Sequence, residues 1–175
     1  MSIIRRGLFL GRFQPFHNGH LNVVQEMIYA EDIDEIIIGI KSAQEAYTLK
    51  NPYTAGERFE MINNTLRMQS WYGVKPIYII PIIDIDSNYK YMSYLKTILP
   101  QFHVYYGSNN LMHVFCTNAG IESVTIPFDD EFYRSGTWIR ADIKANKLNW
   151  RDYVPEAVVK YIISNARLFQ WTENK

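Results

Sequence analysis

The chain has little cysteine and no excess of either charge. A single cysteine, Cys116, stands among 175 residues. That excludes a disulfide framework within the chain and argues against a cysteine-based zinc site. Lys plus Arg and Asp plus Glu both number 18, for a formal net charge of zero. A chain without a basic excess is a poor generic binder of long polyanions, so nucleic acid is not an expected partner. Any anion it binds should be small and met by a few placed cations. No apolar run approaches the roughly 20 residues of a membrane span, and no N-terminal stretch resembles a signal peptide. A soluble, cytoplasmic protein with no membrane partner is expected. No repeat, low-complexity tract or linker interrupts the sequence, so one domain over residues 1–175 is expected.

What is present is a core. Hydrophobic residues make up 47% of the chain, enough at this length for one compact domain. The 13 tyrosines point first to core and interface packing. Apolar β-type runs recur between helical patterns. Strands are expected at 7–11, 35–40, 77–80, 104–106 and 124–126, and helices at 18–30, 55–69, 89–99, 110–118, 136–145 and 155–165. The run Glu-Ile-Ile-Ile-Gly-Ile at 35–40 has the continuous apolar character of a strand covered on both faces. Thr54-Ala55-Gly56-Glu57 reads as a capping box, opening a helix with Phe59, Ile62 and Leu66 inward. Such alternation implies an α/β fold, a Rossmann-like doubly wound parallel sheet of about five strands flanked by helices. Ligands in such sheets sit beyond the C-terminal strand ends, where the strand order switches.

The string GRFQPFHNGH, residues 11–20, lies at such an end. Gly11 closes the strand and lets a ligand approach the backbone. Pro15 stiffens the loop. His17 and His20, three apart at a helix start, share a face and can point at one spot. Gly19 leaves room between them, the helix N-terminus adds unpaired N–H groups, and Arg12 adds a guanidinium. The set suits a phosphoryl group gaining charge in a transition state. The competing readings are a pair of capping or core histidines, or a metal site. No nearby Asp, Glu or Cys completes a ligand set, and no metal ligand is assigned.

The segment His17-Asn18-Gly19-His20 matches the HxGH motif of the nucleotidyltransferase superfamily. The longer string resembles the archaeal-type nicotinamide-nucleotide adenylyltransferases, which join NMN to the AMP part of ATP, giving NAD and pyrophosphate. RSGTWIR, residues 134–140, offers hydroxyls and N–H groups at a second helix start, with Arg140 on the face of Thr137. It resembles the superfamily's SxTxxR-type motif. The resemblance implies that His17, His20, Arg12 and Arg140 carry catalysis. It places Gly11, Phe13, Gly19, Gly107, Ser135, Gly136 and Thr137 beside them on the ATP side.

The stretch KSAQEAYTLKNPYTAGER, 41–58, resembles the family's loop after the second strand. It implies Ser42, Gln44, Lys50 and Arg58, with Gln14, on the NMN side. Lys41 stands where the family usually has glycine, and Lys50 where it often has arginine. DIDSNYKY, 84–91, resembles the family's D-I-x-x-N-x-x-W segment. It implies Asn88 against the nicotinamide carboxamide and Tyr91 stacked on the pyridinium, although Tyr91 also reads as a helix core residue. VYYGSNN, 104–110, resembles the family's fourth-strand end, which implies one of Ser108, Asn109 and Asn110 near adenosine. WRDYVPEAV, from Trp150, reads as structural, with Pro155 opening a helix. Phe13 is expected in the cleft and Phe16 in the core. The resemblance further implies Mg²⁺ carried on the ATP phosphates and a homo-oligomer, a hexamer. The choice between NMN and its deamidated acid turns on a hydrogen bond near Asn88. Pantetheine phosphate and glycerol phosphate are the rival acceptors.

Overall fold

A computed structural model describes residues 3–127 and 134–165. Five strands, β1 (Arg6–Gly11), β2 (Glu35–Ile40), β3 (Ile77–Pro81), β4 (Val104–Gly107) and β5 (Glu122–Thr125), form one sheet in the order β3-β2-β1-β4-β5. Every neighbouring pair is parallel; Leu8 is in register with Ile37 on one side and Tyr105 on the other. The six α-helices among the described residues are α1 (Asn18–Tyr29), α2 (Ala55–Arg67), α3 (Tyr91–Ile98), α4 (Asn110–Asn118), α5 (Gly136–Lys144) and α6 (Glu156–Ser164).

Alternate strand residues point to opposite faces, so the sheet carries two cores. Phe9, Ile36, Ile38 and Tyr106 pack against Val24 and Met27 of α1, Ile62 and Leu66 of α2, Ile139 of α5 and Val158 of α6. Leu8, Leu10, Ile37 and Tyr105 pack against Leu95 of α3 and Met112 and Cys116 of α4. β1 and β2 are covered on both faces, as their unbroken apolar runs require. The chain steps from β1 to β2 to β3 in one direction, then returns to the other side of β1 for β4. The topological switch therefore falls between β1 and β4.

Three local expectations are corrected. Phe59 is 40% exposed; the inward stripe of α2 is Arg58, Met61, Ile62, Thr65 and Leu66. The fifth strand begins two residues earlier than its apolar triplet, because Val104 pairs with Glu122, and all four of its residues are exposed. A 3₁₀ turn, Asn88–Lys90, precedes α3, and another, Asn149–Tyr153, precedes α6, where Pro155 sits at the N-cap. Among the described residues no helix is long and apolar enough to cross a membrane.

Candidate active site

The loop from β1 to α1 carries the two histidines. His17 occupies the N-cap of α1, and its backbone N–H donates to Nδ1 of His20 at 3.2 Å. An Nδ1 that accepts a hydrogen bond holds no proton, so neutral His20 carries its proton on Nε2. The rings stack, with centroids 3.5 Å apart and planes 22° apart. Burial pushes the His17 imidazole down to about 3. Burial, with His17 as a like charge, holds His20 well below the ordinary value. Both rings are neutral donors near pH 7. Gly19, between them, is buried in the first turn.

α5 meets this loop. Arg140 donates from Nη1 to the Gln14 carbonyl at 2.8 Å and from Nη2 to Thr137 Oγ1 at 3.2 Å. Gly136 is tight against the same carbonyl, since a Cβ there would lie 3.1 Å from Gln14 O and 3.3 Å from Arg140 Nη1. The two motifs, more than a hundred residues apart in sequence, thus share one backbone carbonyl. Ser135 sits at the N-cap of α5 without a side-chain capping bond. Asn18 Nδ2 donates to the Asp152 carbonyl at 3.1 Å, which gives the WRDY segment its place as a brace under α1.

A cavity of about 390 Å³ opens beyond four strand ends. Arg12 follows β1; Lys41 and Ser42 follow β2; Asp84, Ile85, Asn88 and Tyr91 follow β3; Asn109, Leu111, Met112 and Phe115 follow β4. Ser42 donates its backbone N–H and its hydroxyl to the two oxygens of Asp84, at 3.1 and 2.6 Å. Asp84, which no motif marked as a site residue, is thus the anchor of the second loop. Lys41 Nζ lies over the Tyr91 ring, 5.3 Å from its centroid. Burial lowers the Lys41 ammonium, Asp84 raises it, and Arg12 lowers it. Burial and Arg12 together also lower Arg140. The Arg12 charge is therefore felt at both ends, by Lys41 and by Arg140.

Several expected contacts are replaced by structural roles. Arg58 is fully buried and spends its guanidinium on four carbonyls: Thr54 at 3.1 Å, Arg12 at 2.9 Å, Lys41 at 2.7 Å and Ser42 at 3.0 Å. It does not reach the cavity. Gln14, 3% exposed, exchanges two 2.9 Å hydrogen bonds with the backbone of Tyr53. Phe13 is buried like Phe16, packed edge-on to Phe9 and His20. Its ring occupies the space over Gly11, where a Cβ would meet it at 2.5 Å, so the glycine makes room for Phe13 and not for a ligand. Gln44 is exposed and accepts from the Asp84 backbone N–H at 3.1 Å. Lys50 is exposed and outside the cavity lining. Of the three candidates after β4, Asn109 lines the cavity, and its side chain also caps α4 through Met112 N. The Gly107 carbonyl faces Nε2 of His113 at 3.0 Å.

The model of the cytidylyltransferase-like family matches residues 8–142. The chain is 46% identical over 160 residues to the nicotinamide-nucleotide adenylyltransferase of Saccharolobus solfataricus, covering 90% of both chains. It is 41% identical over 157 residues to that of Pyrococcus horikoshii, covering 90% of this chain and 82% of the relative. Among solved structures, a bifunctional NMN adenylyltransferase/ADP ribose pyrophosphatase from Francisella tularensis superposes with a TM-score of 0.70 at 18% identity, over 96% of this chain and 52% of that one. The Plasmodium falciparum nicotinic acid mononucleotide adenylyltransferase superposes with 0.69 at 12% identity, over 98% and 100%. These two likenesses show the Rossmann-like fold.

Proposed function

This chain belongs to the cytidylyltransferase-like family, and from that premise we infer that it transfers AMP from ATP to NMN, giving NAD and pyrophosphate. One observation carries the reading. Two neutral stacked imidazoles and the Arg140 guanidinium converge on one loop at the switch point, beside a cavity rimmed by Arg12 and Lys41.

In the reaction an oxygen of the NMN 5′-phosphate attacks the α-phosphorus of ATP. The new P–O bond forms as the bond from the α-phosphorus to the β-bridging oxygen breaks, and pyrophosphate leaves with the electron pair. The nucleophile is already ionised at pH 7, so no strong base is required. Catalysis rests on position and on charge. His20 donates Nε2–H to a non-bridging α-phosphate oxygen, and His17 supports it from the stacked ring. Arg12 lies between the two reacting phosphates. Arg140, Thr137 and Ser135, with the N-terminus of α5, hold the β- and γ-phosphates. Asn88 and Tyr91 receive the pyridine ring.

Magnesium enters on the triphosphate, as part of the substrate, and neutralises its charge there. Among the described residues no three His, Cys, Asp or Glu side chains converge to hold an ion of their own. Asp84, the carboxylate of the cavity, has both oxygens engaged by Ser42. The working assembly is a homo-oligomer, a hexamer by resemblance, which analytical ultracentrifugation reads directly.

The test is pyrophosphate release from ATP and Mg²⁺ with NMN, its acid form or pantetheine phosphate. His20→Ala should lower kcat with NMN by about 10²–10³, the usual effect of deleting one transition-state donor. Release only with pantetheine phosphate would overturn the acceptor, and an unaffected His20→Ala would overturn the mechanism.

A further inference from the structure

We propose that Lys41 is a specificity-determining residue that admits the deamidated, carboxylate-bearing pyridine mononucleotide as an AMP acceptor. The inference rests on the adenylyl-transfer reading and deepens it.

Lys41 leaves β2 on a fixed backbone. Its N–H donates to the Gly11 carbonyl at 2.8 Å, and its own carbonyl accepts from Arg58 at 2.7 Å. From there the side chain crosses toward β3 and α3, ending over the face of Tyr91. Two cationic residues line the cavity, Arg12 and Lys41. Arg12 lies on the histidine loop whose Gln14 carbonyl Arg140 holds at 2.8 Å, which puts it on the phosphate side. Lys41 stands at the other end, with Asn88, Tyr91 and Asp84.

That end carries one fixed anion, Asp84, and one cation on a flexible stem, Lys41. The nicotinamide ring of NMN is a pyridinium with a neutral amide, and bears a net positive charge. The nicotinate ring is a pyridinium with a carboxylate, and bears none. A ring of paired opposite charges meets a wall of paired opposite charges: the pyridinium faces Asp84, and the carboxylate faces Lys41. The amide ring offers Lys41 only a carbonyl dipole. Asn88 does not make this distinction, because its amide both donates and accepts and so serves either substituent. Nor does Tyr91, whose ring face receives either pyridinium alike. The ammonium, a compact point charge on four rotatable carbons, yields the face of Tyr91 to the incoming ring and swings to its rim.

The experiment measures kcat/KM for nicotinate mononucleotide and for NMN with the wild type, Lys41→Met and Lys41→Arg, all with Mg²⁺ and ATP. Calorimetric titration of the same two mononucleotides runs in parallel. The wild type should use both acceptors. Lys41→Met keeps the stem, and should lower the acid-to-amide ratio about tenfold, the loss of one hydrogen bond between charged groups. The change should fall in KM and appear equally in the binding ratio. Lys41→Arg should recover most of it. An unchanged ratio overturns the proposal. So does an equal loss for both acceptors, which would assign Lys41 to the phosphate they share. If the wild type releases no pyrophosphate with either acceptor, the adenylyl-transfer reading fails on its own account, and the binding ratio still decides the role of Lys41.

Discussion

Replacing Arg58 by methionine tests how the site is held. The guanidinium bonds to Arg12 and Lys41–Ser42, and the residues that follow, Phe13 (φ 52°) and Ser42 (φ 51°), are both in the left-handed region. Neither is a glycine, and each such residue costs about 1 kcal/mol or more unless its surroundings enforce it. Two adjacent strands therefore end in two similarly strained turns, and one side chain holds both. In Arg58→Met the Thr54 and Ser42 carbonyls keep second donors, Arg58 N at 3.1 Å and Glu45 N at 3.1 Å. The Arg12 and Lys41 carbonyls lose the guanidinium. Both bonds are part-buried; a fully buried acceptor left unmade costs about 1–3 kcal/mol, so the two give about 2–6 kcal/mol at most. Relief from burying a cation, whose pKa is already pushed down to about 10 by desolvation, offsets part. The expected net loss is about 3 kcal/mol, a fall in Tm of roughly 6–12 °C for a chain of this size. Steady-state kinetics at a temperature where the variant is folded should show KM rising for both substrates, because Arg12 and Lys41 both move. Arg58→Lys keeps the charge without the fork, and should recover less than half the stability. A variant within about 1 kcal/mol of the wild type, with unchanged KM, would refute the view that Arg58 is what fixes the two turns.

Two other predictions concern the histidine loop. The folded His17 titrates near 3 against an ordinary 6.5, so on acidification the unfolded chain takes up the proton first. Its contribution is complete above pH 6.5 and falls as the pH drops toward 3, by about 1.4 kcal/mol per unit. Urea unfolding at pH 7 and pH 4.5 should therefore differ by about 2–3 kcal/mol less in His17→Gln than in the wild type; an identical difference would deny the shift. Arg140→Lys keeps a charge but cannot hold Gln14 O and Thr137 while also gripping phosphate. It should raise KM for ATP about tenfold while moving KM for the acceptor little. An equal rise in both would detach Arg140 from the triphosphate.

The parts of the molecule legible in the sequence are those whose cause is local. β1 and β2 are continuous apolar runs, α2 opens on a capping box that forms as spelled, with Thr54 and Glu57 each bonding the other's backbone, and the histidine pair is a three-residue spacing. Arg58 and Gln14 were not legible because their partners are distant. Arg58 bonds to Arg12, 46 residues away, and Gln14 to Tyr53, 39 away. An arginine on an amphipathic helix reads as an outward residue, and that assumption alone rotates the inferred face of α2 by one position, bringing Phe59 in and leaving Arg58 out. β5 failed at its start for a related reason: its first residue is fixed by pairing with Val104, while its side chains, all exposed, carry no apolar pattern to mark it.

The stacked imidazoles also explain why the cations stand at the rim and not beneath. Two unit charges at about 4 Å in a partly shielded setting repel by roughly 4 kcal/mol, and the rings are closer than that. A doubly protonated pair would push the helix start apart, so the stack is stable as neutral rings. Neutral imidazole has one donor, and its direction must be set. The backbone N–H of His17 sets it by occupying Nδ1 of His20, which leaves Nε2–H as the donor. The geometry of an N-cap thus decides which nitrogen faces the phosphate, while Arg12 and Arg140 supply the charge from partly solvated positions where each costs less to keep. Moving a cation into the dry pocket would give a stronger donor only by lowering its own pKa until it ceased to be a cation.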